Sequence, residues 1–236
     1  MSWLIFITPV VVVALIAFLV WASADVGSNV YVRTLCRLST DEKVVSLTFD
    51  DGPDREMTPK VLDILDRYGI KATFFVIGEK VADNGELMQR IVSEGHILGN
   101  HTYSHKSVFP LESAGRVQEE LEKCNNEIKG ITGSEPMYFR PPFGVTNPII
   151  GKVLKRMQFK AIGWSIRSFD TVAGNSRGEV CRRVIGKLHP GAVILLHDRC
   201  AEEDVLLESL IPAILERGYR FVPLSYKSGR KELIQG

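Results

Sequence analysis

Two adjacent carboxylates, Asp50-Asp51, precede Gly52-Pro53, and two histidines stand four residues apart in His101-Thr102-Tyr103-Ser104-His105. Imidazoles at i and i+4 share one face of a helix and can ligate one metal ion. A carboxylate from another segment completes a two-histidine, one-carboxylate set with positions left open for water and substrate. Adjacent side chains at a strand end point different ways, so one of Asp50 and Asp51 can bind metal while the other stays free as a base. Taken alone, Asp-Asp-Gly-Pro is also a plain turn; the histidine pair gives it chemical meaning. Arg140, ahead of Pro141 and Pro142, suits an arginine that holds a carboxylate by paired hydrogen bonds. His197 follows the apolar run 192–196, either as an acid–base group or as a buried structural histidine.

Two other patterns fit bland roles better. Gly174-Asn175-Ser176-Arg177-Gly178 matches a nucleophile elbow, but that motif needs a strand directly before it. Ser176 with Glu179 reads instead as a capping box that opens a helix. Cys200 reads as a buried, inert thiol rather than a nucleophile.

These residues need elements to hold them. Short apolar or β-branched runs at 44–49, 71–77, 96–100, 137–140, 159–166, 192–196 and 219–224 read as strands. Between them lie helical patterns at 58–69, with Thr58 as N-cap and Pro59 at the first helical position, and at 78–94, 111–130, 148–157, 176–188 and 201–217. Strict alternation predicts one α/β domain over 44–230 with a parallel sheet, and its number of units suits a closed or distorted barrel. Asp50, His101, Asp170 and His197 each follow a different predicted strand, and Arg140 closes a fifth. In parallel folds all those strand ends open on one face, so the five clusters should converge there.

Lys+Arg is 29 and Asp+Glu is 28, a balance that argues against a nucleic-acid partner. Four cysteines without a Cys-x-x-Cys pair make no disulfide scaffold. Residues 3–22 carry no charge, and twenty residues of helix span about 30 Å, the hydrocarbon thickness of a bilayer. We expect residues 1–24 to form a membrane anchor or signal peptide, with 25–43 as a connecting segment. Ala22-Ser23-Ala24 would permit cleavage after Ala24 and secretion, but the apolar stretch is longer than a usual signal, so an anchor is expected. Arg33 and Arg37 lie downstream with no Lys or Arg upstream, which by the positive-inside rule opposes an outward-facing domain.

The assembled residues resemble the polysaccharide deacetylases, the NodB-homology domain of carbohydrate esterase family four. Thr48 to Pro53 is similar to that family's first motif, His101-Thr102-x-x-His105 to its second, Arg140-x-Pro142-Phe143-Gly144 to its third and Leu195-x-His197 to its fifth. The resemblance implies a distorted (β/α) barrel of the NodB type, here preceded by one N-terminal apolar helix. It implies a divalent metal, typically Zn2+ with Co2+ or Ni2+ as alternatives, on Asp51, His101 and His105. It makes Asp50 the base, Arg140 its partner, His197 the acid tuned by Asp170, and Pro142, Phe143, Gly144 and Leu195 the substrate wall. The fourth motif departs from pattern, with Arg167 where an acid is frequent and Thr171 where an aromatic is. The expected reaction is removal of N-acetyl groups from N-acetylglucosamine units of peptidoglycan or a related β-1,4-linked polysaccharide, by a monomer outside the cytoplasmic membrane. The alternatives are an O-acetyl esterase, a small-amide hydrolase and a catalytically silent carbohydrate-binding domain.

Overall fold

The computed structural model describes residues 2–227; the last three residues of the expected 44–230 domain lie outside them. In chain order the elements are α1 (Ser2–Ala24), β1 (Thr34–Leu35), β2 (Val44–Gly52), α2 (Met57–Arg67), β3 (Thr73–Val76), α3 (Gly78–Val81), α4 (Gly85–Ser93), β4 (Ile97–Asn100), α5 (Ala114–Thr132) and β5 (Tyr138–Phe139). They continue with α6 (Pro148–Arg156), β6 (Lys160–Ile162), β7 (Ile166–Arg167), α7 (Arg177–Gly186), β8 (Ala192–His197), α8 (Glu203–Glu216) and β9 (Arg220–Phe221).

The strands are parallel in the order β1-β6-β5-β4-β3-β2-β8-β7, with β9 also on β2. Only residues 163–165 separate β6, near one end of that order, from β7 at the other. Gly163 N–H donates to Leu35 O, while Ser165 N–H donates to Val193 O. One short segment thus belongs to both ends of the sheet, which must curl round on itself. The result is the expected distorted (β/α) barrel, with α1 before it.

Strand β2 is buried along its whole length, and its alternation sorts two layers. Val45, Leu47 and Phe49 pack under the helices with Leu62, Leu65, Leu207 and Ile211. Val44 faces the barrel interior with Phe75, Ile162 and Val193, and Thr48 and Asp50 follow it on that face. Helix α5 shows the complementary pattern: Val117, Leu121, Cys124 and Ile128 recur at helical spacing and all are buried.

Several local expectations change. Helix α2 is opened by Asp54, whose Oδ1 accepts from the N–H groups of Glu56 and Met57, while Thr58 lies inside the helix. The predicted helix 78–94 is broken by a 3₁₀ turn at 82–84, and the predicted strand 159–166 is two pieces, because its halves pair with different neighbours. The polar stretch 25–43 contains β1, and Leu38 N–H donates to Gly191 O. Ser176 and Glu179 do form the capping box of α7.

Candidate active site

Each of five strands delivers a polar group to one rim: Asp50 and Asp51 end β2, His101 follows β4, Arg140 follows β5, Asp170 follows β7 and His197 ends β8. Asp50 and His197 are register partners on adjacent strands. The convergence expected from strand order is therefore realised.

The two carboxylates do not diverge as a regular pleat would require. The β2–β3 register shifts between Asp50 and Gly52, and Asp51 adopts φ 71°, a left-handed residue in a β-bulge. Both side chains consequently enter one cleft. His101 Nε2 lies 3.4 Å from Asp51 Oδ1 and 3.8 Å from Asp50 Oδ2. Gly52 completes the turn where a methyl group would overlap the Asp198 carboxylate. Asp198 accepts a 2.5 Å hydrogen bond from the Thr58 hydroxyl, and burial pushes its carboxyl up to about 7.

His101 and His105 lie in a loop rather than on a helix, with Thr102 at φ 68° and His105 at φ 49°. Polar side chains build this loop. Asn100 accepts from Thr102 N–H and donates to Leu121 O on α5, and Glu120 of α5 accepts from the N–H and hydroxyl of Ser104. His101 Nδ1 meets Arg140 O at 2.8 Å, which orients Nε2 towards the carboxylates. His105 Nε2 lies 3.3 Å from Asp51 Oδ1.

The ligand atoms of Asp51, His101 and His105 all fall within 4.8 Å of one another. Two ligand atoms each about 2.0–2.1 Å from a tetrahedral ion stand about 3.3 Å apart, so the spacing and the O,N,N donor set fit a divalent cation. Burial, helped by the neighbouring His101, pulls His105 down to about 4, favouring the neutral imidazole that metal binding needs. Burial works to raise the Asp51 carboxyl, but hydrogen bonds from His101 and Arg199 outweigh it and hold the group below the usual carboxylate range.

Arg140 is the largest fully buried side chain among the described residues. Its guanidinium donates to Asp50 Oδ1 at 2.6 Å, Thr48 Oγ1 at 2.8 Å, Gly163 O at 2.8 Å and Ile162 O at 3.3 Å, and its Cζ lies 4.2 Å from the Phe75 ring centre. A buried cation so fully satisfied fixes Asp50 in one position. Opposite, His197 Nδ1 meets Asp170 Oδ1 at 2.9 Å, and His197 N–H donates to Asp170 Oδ2 at 2.7 Å. Burial alone would lower His197, yet the bond and charge of Asp170 raise it above its ordinary value.

The cleft holds about 200 Å³ and is walled by Pro141, Phe143, Gly144, Trp164 and Leu195 besides the polar groups. Pro142, expected in this wall, is buried behind it. Gly144 at φ 73° lies so close to Trp164 that a side chain would strike the indole. Arg167 and Thr171 line the mouth. Cys200 is buried beside Asp170, and burial pushes its thiol up to about 12, so it is the inert cysteine expected. All four cysteines are unpaired.

Sequence reasoning missed Arg199, whose Nε donates to Asp51 Oδ2 at 2.8 Å, as well as Thr48 and Trp164. Arg199 had one signal, its position two residues beyond His197; Thr48 had another, its place two residues before Asp50 on the same strand face.

Such a barrel brings two imidazoles, paired carboxylates and a buried arginine to one rim, a set of groups suited to hydrolysis. Residues 37–162 match the family model described as polysaccharide deacetylase. The chain belongs to the polysaccharide deacetylase family. It is 35% identical to the peptidoglycan-N-acetylmuramic acid deacetylase PdaA of Bacillus subtilis, over 83% of this chain and 75% of that one. A crystal structure of a peptidoglycan N-acetylglucosamine deacetylase is 33% identical, with a TM-score of 0.76, over 81% of this chain and 90% of that one. A cobalt-bound family 4 acetyl xylan esterase from Clostridium thermocellum is also 33% identical, with a TM-score of 0.72, over 77% and 88% of the two chains.

Proposed function

We propose that the chain hydrolyses the N-acetyl group of N-acetylglucosamine units in peptidoglycan or a related β-1,4-linked chain, releasing acetate. The observation that carries this reading is the bulged Asp50-Asp51 pair, which sets one carboxylate against Arg140 and the other against two imidazoles. Asp51, His101 and His105 would hold a divalent cation, Zn2+ by donor type, with Co2+ or Ni2+ as alternatives. Bound there, it supplies a Lewis acid that polarises the acetyl carbonyl and acidifies water.

The chain's own groups do the rest. Asp50, held as an acceptor by Arg140, takes the proton of the attacking water. The backbone N–H of Phe143, at the tip of the rim turn, donates to the oxyanion. His197, whose protonated form Asp170 favours, passes a proton to the departing amine. Leu195 and Trp164 enclose the acetyl methyl, and Phe143 and Gly144 shape the sugar side of the cleft. No covalent enzyme intermediate is needed. Residues 3–22 anchor the domain, residues 44–230 form its catalytic part, and the site faces outward from the cytoplasmic membrane.

One observation favours a second reading of the sugar. Arg167 and Arg199 both stand in the wall of the cleft, and N-acetylmuramic acid, the sugar in the name of the Bacillus subtilis relative, carries a carboxylate that arginine binds well. Acetate release from matched N-acetylglucosamine and N-acetylmuramic acid units in peptidoglycan fragments, beside O-acetylated xylan, tests both. Release from glucosamine units alone supports the first reading. A muramic preference that Arg167→Ala abolishes supports the second, and release only from the ester overturns both.

A further inference from the structure

The end of α1 is tied by a backbone hydrogen bond to the loop that follows the site's rim turn. Ser23 O, one residue from the end of α1, accepts from Thr146 N–H at 3.0 Å, and Ala22 is fully buried against the domain. Thr146 stands three residues beyond Phe143, whose ring lies 5.0 Å from that of His105. Three residues reach at most about 11 Å. Helix α1 is otherwise exposed from Ile7 to Trp21 and passes into the domain without a free linker. The end of α1 therefore lies within about 18 Å of Phe143 on the site's rim.

The surface around that point is apolar. A 3₁₀ turn buries Phe109 and turns Val108 and Leu111 outward, with Leu111 86% exposed. The turn is tied to the same place, since Asn147 Nδ2 donates to Pro110 O at 2.6 Å. Ile149 extends the patch. A hydrophobic rim continuous with a membrane helix has one fitting occupant, the lipid surface.

We infer that Val108, Leu111 and Ile149 rest on the bilayer, so that the cleft opens at the level of the lipid headgroups. The inference rests on the reading of α1 as a retained anchor. The headgroup layer is only about 5–7 Å deep on each side, so a sugar must come close to the membrane to enter. The substrate is then a glycan still joined to a lipid or just emerging from membrane-bound glycosyl transfer, rather than a chain in distant wall layers.

The test uses the full chain in liposomes carrying nitroxide lipids. Cys36→Ser and Cys181→Ser remove the two partly exposed thiols, and a fluorophore is attached through Ala14→Cys, Leu111→Cys or Glu216→Cys. Glu216 ends α8, about 20 Å from the helix start near the rim. Quenching at 14 and 111 but not at 216 is the expected result. Quenching at 14 with 111 no more quenched than 216 overturns the inference and leaves the anchor standing. No quenching at 14 overturns the anchor, and the inference with it. In parallel, Leu111→Glu should lower turnover of a lipid-linked N-acetylglucosamine oligomer in these vesicles about tenfold. It should leave a soluble oligomer unaffected, and equal turnover on both would contradict the inference.

Discussion

Among single residues, two neighbouring carboxylates are divided by their partners. Asp50 bonds to Arg140, and Asp51 faces His101, His105 and Arg199. Asp50→Asn should therefore keep bound zinc while turnover falls about 10²–10⁴-fold, and His101→Ala should lose zinc and turnover together. Zinc content by mass spectrometry beside acetate release checks both; zinc lost with Asp50→Asn and kept with Asp51→Asn would reverse the roles. His197 gives a pH prediction. Asp170 raises it, and only the protonated imidazole donates, so activity falls as pH rises through its pKa. Asp170→Asn removes the raising charge, so the basic limb of the pH profile should move to lower pH. A limb that stays in place would disconnect Asp170 from His197.

At the scale of elements, the site depends on a departure from regular structure. A plain β2 would send Asp50 and Asp51 to opposite faces, and the bulge brings them together. Gly52→Ala forces a methyl group onto the Asp198 carboxylate beneath that turn. It should destabilise the chain by about 1–3 kcal/mol, which thermal melts would show as a loss of about 2–4 °C per kcal/mol; an unchanged melt would mean the turn is not tightly packed. This also marks what the sequence made legible. Apolar runs and helical periods located most elements, and the polar residue after each strand located the rim. The bulge was hidden because no residue pattern distinguishes it from a pleated strand end. The histidine loop was misread as helix because Asn100, Glu120 and Thr102 override the i,i+4 spacing with side-chain hydrogen bonds. Arg199 and Trp164 were missed because their roles depend on distances between strands far apart in sequence.

At the scale of the whole molecule, the barrel closes through a segment that composition presents as a connection. Strand β1 and Leu38 tie residues 34–38 to β6 and to the start of β8, so the chain leaving α1 is part of the domain. The outward orientation predicts that protease added to intact spheroplasts digests the domain, whereas protection until lysis would set it inside. In the proposed reaction Asp51, His101 and His105 hold the cation on which deacetylation depends. The most direct measurement is acetate release from N-acetylglucosamine oligomers by the full chain, stripped with a chelator and then titrated with zinc. Release should stop on stripping and return to a plateau at one zinc per chain. Turnover undiminished in the stripped protein would contradict that dependence.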